Sequence, residues 1–65
     1  MASNFCVHPG SEGWVITIEI DGQKPIDHEG FYGEPVLAEL DAVDMARETQ
    51  DAGHQAYVYV ERRGG

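Results

Sequence analysis

Asp41, Asp44, Glu48 and Asp51 fall at positions i, i+3, i+7 and i+10. On a helix this spacing projects all four carboxylates from one face, with neighbours about 5–6 Å apart along about 15 Å of axis. A row of negative charge near the spacing of successive phosphates suits occupation of a Lys/Arg-lined nucleic-acid site on another protein. The bland account of the same row is a solvated face of an acidic helix. Against it, like charges this close cost a few tenths of a kcal/mol per pair, and only Arg47 stands near to offset them.

Other chemistry-bearing residues form weaker patterns. His8, His28, His54 and Cys6 match no zinc spacing, and Cys6-Val7-His8 is a single pair with no second pair to close a tetrahedron. Asp27-His28-Glu29 lacks the ligand spacing and glycine of a calcium loop and reads as a surface turn. No glycine-rich phosphate loop follows a strand, and no Ser or Cys sits in a nucleophile elbow. Cys6 and His8 share a strand face but have no evident third orienting group. The expectation is a non-enzyme with no metal and no cofactor.

Trp14, Tyr57 and Tyr59 offer aromatic surface, yet the acidic field opposes base stacking. Trp14 is therefore expected in the core, and Tyr57 and Tyr59 on a sheet face that serves as a protein contact patch. Arg62-Arg63-Gly64-Gly65 resembles the di-glycine end of ubiquitin-like modifiers and small sulfur carriers, which use the terminal glycine carboxylate. In that family the helix directly follows the first hairpin and further strands come behind it. Here only about a dozen residues follow the helix, so residues 62–65 are read as a flexible tail.

Five segments must position these residues. Phe5-Cys6-Val7-His8 alternates, and Pro9-Gly10-Ser11-Glu12-Gly13 connects it as a hairpin to Trp14-Val15-Ile16-Thr17-Ile18-Glu19-Ile20. There Trp14, Ile16, Ile18 and Ile20 share the core face, and Asp21-Gly22 suits a tight turn. Residues 23–34 read as a loop or irregular strand with Ile26, Phe31 and Tyr32 as anchors of open placement. Residues 41–52 read as a helix: Asp41 suits an N-cap, Ala42, Met45, Ala46 and Thr49 share a face, and Gly53 ends it. A start at Pro35 is also open. That start would put Leu37 and Leu40 on the face of Asp41, Asp44 and Glu48, a conflict that favours a break near Leu40. After it, Gln55–Glu61 is a strand with Ala56, Val58 and Val60 on one side and the tyrosines on the other.

The predicted fold is α+β: a small antiparallel sheet of three to four strands in the order β-β-(β)-α-β, covered by one helix. With 65 residues the chain has room for one domain, residues 1–65. Its formal charge is −8; residues 1–61 hold all 12 carboxylates against Lys24 and Arg47, a net −10. Such a surface repels phosphate backbones and anionic lipids, so no direct nucleic-acid or membrane binding is expected and a basic protein is the natural partner. One cysteine permits no internal disulfide. Met1-Ala2-Ser3-Asn4-Phe5 has neither a basic region nor a long apolar run, which points to a cytosolic protein. Phe5–His8 or Tyr57–Val60 is expected as an exposed edge strand, consistent with a monomer or weak dimer.

The helix Asp41–Glu48 leading into Ala56–Val60, behind the Trp14–Ile20 strand, resembles small bacterial and phage β-β-α-β domains. In size, acidity and lack of motifs the chain is most similar to phage-encoded anti-CRISPR proteins, several of which act as DNA mimics against type I Cascade complexes. The resemblance implies an inhibitor in the cytoplasm of a bacterial host. Its Asp41, Asp44, Glu48 and Asp51 would imitate phosphates at a DNA site on a Cas subunit. The runner-up is an adaptor domain that binds a protein through Tyr57 and Tyr59, and the third reading is a ubiquitin-like sulfur carrier that uses Gly65.

Overall fold

The computed structural model describes residues 2–61; the expected tail and the di-glycine at 64–65 lie outside the described residues. Along the chain come β1 (Ala2–Pro9), β2 (Trp14–Ile20), β3 (Ile26–Asp27), α1 (Pro35–Asp51) and β4 (Gln55–Val60). They form one four-stranded sheet in the order β3-β2-β1-β4, with α1 on one face. This is the small α+β fold.

Strict alternation builds the central hairpin. Ser3, Phe5 and Val7 are buried while Ala2, Asn4, Cys6 and His8 are only half-buried. Pro9 pairs with Trp14 at the closed end, where Gly10 N–H donates to Gly13 O at 2.6 Å. Gly13 is required here. Its φ is +155°, and a Cβ would stand 2.7 Å from Tyr32 O. That close approach lets Tyr32 exchange two backbone hydrogen bonds of 2.8 Å with Trp14. The segment before the helix is thus fastened to β2, with Tyr32 half-buried against the core and Phe31 exposed.

The sheet departs from one expectation, and of the two edge strands expected it has Tyr57–Val60 and not Phe5–His8. It is mixed, not antiparallel throughout: β2 pairs antiparallel with β1 and β3, whereas β4 pairs parallel with β1. The cause is the crossover. β3 runs parallel to β1, and α1 returns the chain past β2 and β1 so that β4 takes the same direction, a pairing that needs a long connection. Consequently β1 is an inner strand and not an edge; β4 and the short β3 are the edges.

The helix start is also corrected. Asp41 is not an N-cap, and no break occurs near Leu40. The helix is continuous over Pro35–Asp51, with Glu34 at the N-cap position in extended geometry and Pro35 in the first turn. Proline fixes φ at a helical value and its missing N–H falls among donors that have no partner in a first turn. The contact that carries the helix through Leu40 is an alanine seam at i, i+4 and i+8: Ala38, Ala42 and Ala46 are all buried. At the other end Gly53, with φ +92°, donates to Gln50 O at 2.9 Å, and His54 N–H donates to Thr49 O at 3.2 Å. This pair of bonds is a Schellman stop, which needs a left-handed residue best supplied by glycine.

The core is Phe5, Val7, Ile16 and Ala56 from the sheet against the three alanines, with Trp14, Ile18, Tyr32, Met45, Val58 and Val60 packed around them. Trp14 reaches the core but stays half-buried. Small side chains let α1 lie close over β1 and β4, and its contact with β2 is lesser.

Candidate functional site

The structure places the six expected binding residues on two opposite surfaces. Asp41, Asp44, Glu48 and Asp51 are all exposed on the outer side of α1. At 3.6 residues per turn they centre roughly 140° round the helix from the alanine seam. Tyr57 and Tyr59, 49% and 55% exposed, project from the sheet face that no helix covers, since Ala56, Val58 and Val60 take the α1 side. One flat partner therefore cannot engage both sets.

Within the row the residues differ. Asp41 Oδ2 accepts a hydrogen bond of 2.7 Å from Tyr32 Oη, tying the 28–34 segment to the helix. That bond, then partial burial and the Asp41 charge, pushes the Tyr32 phenol above its ordinary value. Among the described residues no side-chain hydrogen bond reaches Asp44, Glu48 or Asp51. The helix has no acidic residue in its first turn and no basic residue in its last. Glu48 and Asp51 instead stand at the C-terminal end, where the helix dipole is negative. An anion there is disfavoured by about 0.3–1 kcal/mol.

The same outer stripe carries large aliphatic groups, as a start at Pro35 implies. Leu37 is 49% and Leu40 59% exposed, and Val36 is similarly open. Leu37, Leu40, Asp41, Asp44, Glu48 and Asp51 follow i, i+3, i+4, i+7, i+11 and i+14, one continuous helical stripe. Fully burying a leucine is worth about 1.5–3 kcal/mol, and the helix forgoes about half of this at each by facing alanines to the sheet. The signal lies in the sequence, where a Pro35 start puts both leucines on the face of the carboxylates.

The uncovered sheet face holds a polar chain across three strands. Thr17 Oγ1 donates to Asp27 Oδ1 at 2.8 Å and lies 2.6 Å from His8 Nε2. The hydroxyl has one proton, so with Asp27 accepting it His8 must donate through Nε2–H. This is the reverse of nucleophile activation, in which the imidazole accepts the hydroxyl proton. The chain fastens β3 to the hairpin. Strand alternation put Thr17 on this face, but the contact with Asp27 needed the fold of the 21–27 turn.

Cys6 lies on the same face with Sγ 3.5 Å from Glu19 Oε1. Burial first, then this hydrogen bond and the Glu19 charge, pushes the thiol above its ordinary value. The reactive species is the thiolate. Iodoacetamide is therefore expected to alkylate Cys6 more slowly than an unhindered thiol, and Glu19→Gln is expected to speed the reaction severalfold at pH 8. An unchanged rate would show that Glu19 does not hold the proton.

Among the described residues no group of three or more His, Cys, Asp or Glu could hold a metal ion, and no helix is long and apolar enough to cross a membrane. Compared with known proteins, the chain matches no protein-family model, no curated protein and no solved structure.

Proposed function

We propose that this chain is a non-enzymatic inhibitor that docks on a basic nucleic-acid-binding protein, with Asp41, Asp44, Glu48 and Asp51 substituting for DNA phosphates. The proposed target is a Cas subunit of a type I Cascade complex in the cytoplasm of a bacterial host. One observation carries the reading: the whole row is exposed on one face of a 17-residue helix, and its last two members sit where the helix dipole opposes them. A face selected only for solvation would gain by placing those charges at the other end. Long-range attraction between a −10 body and a basic cleft would speed encounter.

A second reading has its own support. Tyr57 and Tyr59 are half-exposed on the uncovered sheet face, an amphipathic surface of the kind enriched in protein interfaces. In that reading the chain is an adaptor and the acidic helix serves solubility.

Tagged protein incubated with bacterial lysate tests both. The proposal expects capture of a basic DNA-binding protein at low salt, competed by duplex DNA and lost at about 0.5 M salt, where screening acts within a few ångströms. Capture of a neutral partner that resists salt and is lost in a Tyr57→Ala/Tyr59→Ala variant supports the adaptor and rejects the mimic.

A further inference from the structure

Phosphate imitation alone gives no use for Leu37 and Leu40. They begin the stripe that Asp41, Asp44, Glu48 and Asp51 continue, and each is about half exposed while the inward face of the same helix is alanine. Val36 and Phe31, also open, lie at the same end of the helix. A DNA duplex offers no aliphatic side chains along its phosphates, so a purely electrostatic mimic would not need them.

We infer that α1 docks as one unit into a groove of a basic protein partner, with Leu37 and Leu40 entering an apolar recess at one end and the carboxylates meeting Lys or Arg along the rest. The inference rests on the acidic row being the contact face. Charge complementarity selects the occupant: the described residues carry −10, so a second copy is repelled and a cationic protein surface is attracted. Helix-in-groove recognition uses anchors at this i, i+3 spacing. The carboxylates govern how fast and how salt-dependently the partner arrives, and the leucines govern how long it stays.

The test titrates the isotopically labelled full chain with two defined probes, an amphipathic lysine-leucine peptide and oligolysine of equal charge. The amphipathic peptide is expected to bind at least tenfold tighter and to shift the Leu37 and Leu40 amides. Leu37→Gln with Leu40→Gln should bring the two affinities together without weakening oligolysine binding, and since both positions are exposed the fold should be kept. Equal affinities for the unsubstituted chain overturn the inference while leaving the acidic-row reading standing. A preference that survives the leucine substitutions does the same, whereas shifts centred on Tyr57 and Tyr59 overturn both the inference and the acidic-row reading. Oligolysine affinity unchanged by Asp44→Lys with Glu48→Lys overturns the acidic-row reading, and the inference that rests on it. Self-association in sedimentation that the leucine substitutions abolish would assign the stripe to a second copy and also overturn the inference.

Discussion

Replacing Ala42 by leucine is expected to lower the melting temperature by roughly 10–25 °C. Ala42 has no exposed surface and sits midway along the seam Ala38, Ala42 and Ala46, packed with Phe5, Val7 and Ile16. Three added carbons must be accommodated between helix and sheet. The helix must lift from β1 and β4, or the neighbours must leave their rotamers, at a cost of about 2–3 kcal/mol or more. A chain of this size has only about 3–10 kcal/mol of total stability to lose. Leu40→Ala removes a larger side chain from the same helix, yet it should change stability by no more than about 0.5 kcal/mol because Leu40 is exposed. Thermal unfolding followed by far-ultraviolet circular dichroism compares the two. Coincident melting of Ala42→Leu and the unsubstituted protein would show that the alanines are not the helix–sheet contact.

That pair of substitutions also isolates what could be read from sequence and what could not. The strands were legible because alternation has a period of two and Trp14–Ile20 and Gln55–Val60 show it cleanly, as does Gly53 for the helix stop. The helix start was not. Alanine carries little hydrophobic signal, so Ala42 and Ala46 mark an inward face for residues 41–52 without extending it to Ala38, and the rule that large apolar groups face inward favours a break near Leu40. The structure resolves the conflict in the other direction, with small residues inward and leucines outward. The parallel pairing of β4 and the anchoring of Tyr32 were illegible for a different reason: one depends on where the crossover returns the chain, the other on a backbone approach that only Gly13 allows.

For the candidate site, spacing alone gave the carboxylate row and the strand alternation gave the tyrosine face. Neither showed that they occupy opposite sides of the molecule. That separation makes the two functional readings mutually testable, because a substitution on one surface leaves the other intact. It also divides the row itself. Asp41 is held by Tyr32 and contributes to the fold, whereas Asp44 and Glu48 lie further along the exposed face and can be changed without disturbing that contact.

Asp44→Lys with Glu48→Lys is accordingly expected to separate function from stability. The two reversals move the formal charge from −8 to −4, four units, and place like charge against the basic partner. Like-charge contacts across an interface cost several kcal/mol, so capture at low salt should fall by about a hundredfold or more. Stability should move the opposite way. The 41/44 and 48/51 pairs turn attractive while 44/48 stays like-charged and Arg47 loses its i−3 partner, each a change of about 0.2–0.5 kcal/mol, and a cation in the last turn gains about 0.3–1 kcal/mol from the dipole that now opposes Glu48. A variant that melts at the same or a higher temperature while losing its partner would mean that the row is kept at the expense of the fold because binding requires it. A variant that gains stability and keeps its partner would reduce the row to a solvated face, since a charge pattern that harms the helix and serves no contact has no role in recognition.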